Sequence, residues 1–215
     1  MNQEEILLKT SQYVQQQLEN EGSGHDWWHI KRVYRNAELI LQSEPCDHFQ
    51  VKMAVLLHDI GDYKLHNGVD KTRELVYPFL SSLNLEGSFI EDILSIIKQI
   101  SFSSNKNTKP SSIEAMVAQD ADRLDAIGAI GIARTFQYGG HKGHPLYDPK
   151  IPPILHHSTD SYKKSTAPTL NHFYEKLLLI KDLMNTQTAK SIAQQRHKFM
   201  ETFLTQFYDE WEGKK

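Results

Sequence analysis

At 215 residues, with 39% hydrophobic and 24% charged side chains, the chain can fill one sizeable core and is too apolar to be disordered. Its net charge of -3 excludes a protein whose main work is gripping polymeric nucleic acid by its phosphates, although a few lysines and arginines suffice for a small nucleotide. The single cysteine, Cys46, excludes an intrachain disulfide and any Cys-built zinc cluster.

The opening MNQEEILLKTSQYVQQQ has acidic and amide residues where a signal peptide needs a basic and then an apolar stretch. No apolar run approaches the roughly 18 residues that would cross a membrane. A cytoplasmic protein without a membrane partner is therefore expected.

The dominant hydrophobic period is helical. Residues 3–20 carry Ile6, Leu7, Tyr13, Val14 and Leu18, ending near Gly22 and Gly24. A second helix is expected from Asp26 to Gln42, with Trp27, Ile30, Val33, Ala37, Ile40 and Leu41 inward and Pro45 as its stop. The third, from Asp47 to Ile60, buries Met53, Ala54, Leu56, Leu57 and Ile60, and Gly61 suits its end. Asp26 and Asp47 read as N-caps.

A fourth helix over 69–83 contains Pro78, which implies a kink or a break. The isoleucine-rich segment 88–101 has strand-like composition but helical spacing at positions 93, 96, 97 and 100. After the polar stretch 101–112, residues 111–137 read as one long helix with an acidic middle. Residues 139–168 form the longest irregular stretch, rich in glycine and proline. Two closing helices are expected over 169–185 and 188–211. No alternation of strands and helices appears, so the class is all-α.

Four places set acidic or imidazole groups where the pattern wants apolar core. They are Gly24-His25-Asp26-Trp27-Trp28-His29, then Leu57-His58-Asp59-Ile60-Gly61-Asp62, then Asp120-Ala121-Asp122-Arg123-Leu124-Asp125, and the loop with His141, Lys142, His144, His156 and His157. Taken singly, a histidine after an apolar run is more often a hydrogen-bonded structural residue than a ligand. A buried carboxylate is harder to dismiss, because without a partner it costs several kcal/mol. Asp59 and Asp122 both follow strongly apolar surroundings, and one shared cation would resolve the cost for both. Together with His29 and His58 they make the mixed imidazole–carboxylate set that borderline divalent metals accept. On an octahedral ion such a set leaves positions open for water or a phosphate oxygen.

The order His29, His58-Asp59, Asp122 resembles the HD-domain superfamily of metal-dependent phosphohydrolases. The segments GHDWWHIKRV, HDIGDYK and QDADRLDAIGAIG are similar to a YpgQ-like bacterial subgroup of stand-alone HD hydrolases, as is the tail with His172, Glu175, Lys176 and Leu177. The resemblance implies one HD domain over 1–215: a helical bundle with a metal-binding core over about 23–140, an irregular loop over 139–168 and C-terminal helices over 169–212. It implies metal on His29, His58, Asp59 and Asp122, with His58 and Asp59 thereby part of the catalytic machinery.

In the same family pattern Asp62 falls where related nucleotide hydrolases carry an acidic residue that handles the attacking water; its plainer reading is a solvated helix-end charge. Lys64, Arg123, His25 and Lys142 are the candidates for substrate contacts. Arg123 reads as well as an ion pair for Asp122 or Asp125, and Asp125 as a support rather than a ligand. Lys142, Lys163 and Lys164, with the nearby glycines, suit a loop that closes over a substrate.

The implied activity is cleavage of a (deoxy)nucleoside triphosphate to monophosphate and pyrophosphate. The alternatives are a 5′-nucleotidase or phosphodiesterase using the same site, and a non-catalytic nucleotide-sensing domain. Cyclic-dinucleotide phosphodiesterases of the superfamily carry Lys where this chain has Asp62, and a downstream Gly-Tyr-Pro that is absent here. One divalent ion is therefore expected, out of Mn, Ni, Fe, Co, Zn or Mg and with Mn favoured, although His66 and the loop histidines leave a second open. The aromatic C-terminal helix leaves a homodimer open.

Overall fold

The computed structural model describes residues 1–19, 24–63, 65–100, 109–155 and 166–214. Among these residues there are nine α-helices, one 3-10 helix and no strand, so the fold is all-α. The helices form two compact units, residues 1–122 and 123–215, whose boundary falls inside one helix.

The first unit contains α1 (Gln3–Leu18), α2 (Trp27–Leu41), α3 (His48–Leu57), α4 (Thr72–Ser82), α5 (Gly87–Ile100) and most of α6 (Ile113–Asp125). Three of these starts are fixed by side chains. Asn2 and Glu5 close a reciprocal capping box on α1, Asp26 accepts from the His29 N–H at 2.7 Å, and Asp47 accepts from Phe49 and Gln50. Both predicted aspartate caps are thus present.

α3 is the centre of this unit and packs against α1, α2 and α5. Seven of its ten residues are buried, from Phe49 through Val51, Met53 and Ala54 to Leu57. A helix that is apolar nearly all round is stable only inside such a shell. α5 buries Ile90, Ile93, Ile96, Ile97 and Ile100 along one stripe, which settles the strand-like segment as a helix. Each of those side chains contributes about 2 kcal/mol on leaving water. α4 begins at Thr72, where Asp70 accepts from its N–H at 2.8 Å, and then runs through Pro78 to Ser82.

The second unit holds the end of α6, α7 (Gly128–His141), α8 (Asn171–Glu175), a 3-10 helix (Leu177–Leu183) and α9 (Gln187–Trp211). The expected single helix over 111–137 is two helices. Ile127 is extended and Gly128 takes φ +78, a left-handed conformation that a side chain rarely adopts. The expected helix over 169–185 is five residues of α8 followed by the 3-10 turns. There Leu177 and Ile180 are buried at the i, i+3 spacing that a three-residue turn aligns.

The described part of the 139–168 stretch is stitched to the start of α8. Thr169 and Leu170 donate to the carbonyls of Pro145 and Leu146, and the Asn171 amide donates to Ile151. His156, His157, Lys163 and Lys164 lie outside the described residues.

Candidate metal centre

Three helices of the first unit bring the chemistry together. α2 carries His29 on its inward face, 2% exposed, beside Ile30 and Val33. α3 ends at Leu57, so His58 is its C-cap and Asp59 opens the next turn. α6 supplies Asp122 from the face next to Ala118 and Ala121, both fully buried.

The donor atoms converge. His29 Nε2 lies 3.5 Å from Asp59 Oδ2 and 3.5 Å from Asp122 Oδ1. His58 Nε2 lies 3.6 Å from Asp59 Oδ2 and 3.9 Å from Asp122 Oδ1. These separations exceed a good hydrogen bond. They fall just outside the roughly 3 Å spacing of neighbouring ligands around an ion with bonds of about 2.1 Å. Two imidazoles and two carboxylates at such spacing fit a divalent cation, and a contraction of a few tenths of an ångström would seat one.

The remaining contacts set the direction and charge of these groups. His58 Nδ1 donates to the Val55 carbonyl at 2.8 Å, which leaves its Nε2 lone pair turned to the cluster. His25 Nδ1 donates to Asp59 Oδ2 at 2.9 Å. Burial by itself would raise the Asp59 pKa, but the imidazoles of His58, His25 and His29 outweigh it and hold the carboxyl well below its ordinary value. Asp59 is 3% exposed, whereas 24% of the Asp122 side chain is open to solvent. Of the four side chains, that of Asp122 is the one most open to solvent.

Asp62 is half-buried in the turn after Asp59 and donates its backbone N–H to the Asp59 carbonyl. Its carboxylate is not among the converging donors found in the described residues. Lys64 lies outside the described residues. In the second unit Arg123 is buried, and its guanidinium donates to the Leu183 carbonyl. Asp125 takes its charge partner from Arg134, Nη1 to Oδ2 at 2.6 Å. Lys142 is an exposed C-cap of α7, its ammonium 5.7 Å from the centre of the Tyr138 ring.

Two contributors were not singled out in the sequence. The Val55 carbonyl orients His58, and no side-chain pattern announces it. Asn36, buried on α2, donates its amide to the Ala121 carbonyl at 3.1 Å and so ties α2 to α6 one residue from Asp122. Its signal was there to read: a polar residue seven positions after His29, on the face that is otherwise apolar.

A family model for the HD domain matches residues 27–127, the stretch that contains all four converging side chains. The chain belongs to the HD-domain superfamily and is a metal-dependent hydrolase. In sequence it is 40% identical over 196 residues to the protein YpgQ of Bacillus subtilis, covering 90% of this chain and 88% of that one. In structure it is similar to an HD-superfamily hydrolase from Bacillus thuringiensis, with a TM-score of 0.79 and 44% identity over 98% of this chain and 99% of that one. It is also similar to the crystal structure of Bacillus subtilis YpgQ in complex with ADP, with a TM-score of 0.75 and 35% identity over 95% and 97% of the two chains.

Proposed function

We propose that this chain is a nucleotide pyrophosphohydrolase, cutting a (deoxy)nucleoside triphosphate to the monophosphate and pyrophosphate. The observation that carries the reading is the convergence of His29, His58, Asp59 and Asp122 in a cluster whose most solvent-exposed side chain is Asp122. The likeness over nearly the whole chain to YpgQ, a protein crystallised with ADP, supports a nucleotide as the substrate.

In this reading the four side chains hold one divalent ion, and Mn²⁺ is the ion to test first. When bound, such an ion lowers the pKa of a coordinated water and polarises the phosphoanhydride under attack. The protein's part is positioning and charge. Asp59 stays ionised because three imidazoles surround it. His25 fixes the Asp59 rotamer through its 2.9 Å hydrogen bond. Asp62, one turn beyond His58, takes the proton from the attacking water. Lys64, five residues after Asp59 in the chain, is the candidate for contact with the phosphates. Arg123 donates from its guanidinium to the Leu183 carbonyl, and that bond supports a bracing role for it.

The test is ³¹P NMR of a dNTP mixture incubated with the purified protein and Mn²⁺, beside an Asp59→Ala control. Monophosphate and pyrophosphate, absent in the control, are the expected products. Orthophosphate would move the enzyme to the phosphomonoesterase class. Nucleotide bound but never cleaved would make the domain a sensor.

A further inference from the structure

The sequence GHDWWHI contains two adjacent tryptophans, and the structure uses them differently. Trp27 is buried on the inward face of α2, whereas the Trp28 indole is 63% exposed. A large aromatic left in water forgoes the stabilisation that its neighbour gains by packing. Trp28 immediately precedes His29.

The surface around Trp28 is chemically distinctive. Successive residues on a helix turn by about 100°, so Lys31, Arg32 and Arg35 share its outward face. Residues 27–37 contain no acidic side chain. The Lys31 ammonium lies 5.8 Å from the centre of the Trp27 ring and 6.0 Å from that of Trp28. An exposed indole flanked by cations is the combination that holds a base by its π-face and its phosphates by charge.

Trp28 and His29 are neighbours on α2, so the exposed indole and the buried imidazole are about 100° apart around one turn of the same helix.

We propose that Trp28 is the platform on which the nucleobase of the substrate stacks, with Lys31 and Arg32 flanking the sugar and phosphates. This deepens the nucleotide reading and rests on it. Stacking on a π-face is tolerant of base identity, so the platform would accept purines and pyrimidines alike, with larger bases held more tightly.

The experiment titrates ADP with Mn²⁺ into wild-type, Trp28→Ala and Trp28→Phe protein by calorimetry. In parallel, kcat/KM is measured for dATP and for inorganic tripolyphosphate, which has no base. Thermal unfolding checks that each variant is folded. The expected result is ADP binding weakened by about ten- to hundredfold in Trp28→Ala, the loss expected on removing a base–aromatic stack. The ratio of kcat/KM for dATP to that for tripolyphosphate falls by a similar factor, through KM, and Trp28→Phe keeps most of both. Wild-type ADP affinity in Trp28→Ala overturns the inference alone. Wild-type protein that neither binds ADP nor cleaves dATP overturns the nucleotide reading, and the inference with it.

Discussion

Asp59 and Asp125 are both almost fully buried, at 3% and 1% exposure, and each is stabilised in a different way. Asp125 has a guanidinium of its own, Arg134, with a 2.6 Å contact and a positive charge that never leaves. Asp59 is ringed by imidazoles at 2.9 to 3.6 Å, from His25, His29 and His58. An imidazole carries charge only while it holds its second proton, and it must give that proton up before its lone pair can hold a metal. A closed ion pair is complete as it stands. A carboxylate among imidazoles, with a second carboxylate on Asp122 close by, is completed by a cation. On the proposed reading, the same contrast separates Asp125 from the candidate ligand Asp122 within a single helix, since the two lie one turn apart on α6.

The strongest way to break the contrast is to remove each aspartate in turn. Asp59→Ala should abolish Mn²⁺ binding and lower turnover by at least about a thousandfold, since loss of an outer partner alone costs 10- to 100-fold. In wild-type protein, Mn²⁺ at about 100 times its Kd should add roughly 2.7 kcal/mol of stability, which EDTA removes. For a chain of this size that is an increment of about 5–10 °C in Tm. Asp59→Ala should lack the increment. An Asp59→Ala protein that still gains it would remove Asp59 from the ligand set.

Asp125→Asn should behave in the opposite manner. It leaves Arg134 partly buried opposite a neutral group and should cost about 2–4 kcal/mol in urea unfolding. The Mn²⁺ increment in Tm should persist. Loss of the increment with little change in stability would show Asp125 to be more than a structural partner.

A smaller effect is expected from the turn that presents Asp59. Gly61 has φ +85, and a Cβ there would lie 2.4 Å from the Thr72 backbone nitrogen. Gly61→Ala must therefore push the chain back from the start of α4, at about 2–3 kcal/mol once left-handed strain is added. Mn²⁺ affinity should fall with it, because Asp59 is only two residues away. Unchanged affinity, read by calorimetry, would mean that the cluster is held by α2, α3 and α6 without help from this turn.

Much of this was legible in the sequence, for definite reasons. His29, His58, Asp59 and Asp122 stood out because each interrupts or ends an apolar helical stripe, and a polar group in such a place needs a partner. The stripes themselves located α1 to α5 to within a few residues. The break between α6 and α7 was hidden because Gly128 and Gly131 read equally well as tolerated glycines inside a helix. Only the extended Ile127 and the left-handed Gly128 reveal the turn. The direction of Arg123 was hidden too, since charge next to an acidic run says nothing about which carbonyl a guanidinium will reach. The 3-10 turns over Leu177–Leu183 were masked by an apolar run whose i, i+3 spacing suits either helix type.

A third way to bury an ionisable group is to leave it uncharged, and His172 on α8 does so. Burial, helped by the nearby Lys176 charge, pushes its pKa down to about 3. In the unfolded chain the same imidazole takes a proton near pH 6.5. Between those values the unfolded state binds more protons than the folded state, so stability is complete above pH 6.5 and declines as the pH falls toward 3. At pH 5 the loss attributable to this residue is about 2 kcal/mol. Other groups titrate over the same range, so the measurement is a difference: urea unfolding of wild-type and His172→Gln protein at pH 7 and pH 5. The variant should lose about 2 kcal/mol less than the wild type over that interval. Parallel declines in the two proteins would show that His172 accepts its proton in the folded state at an ordinary pH, and that burial has not suppressed its charge.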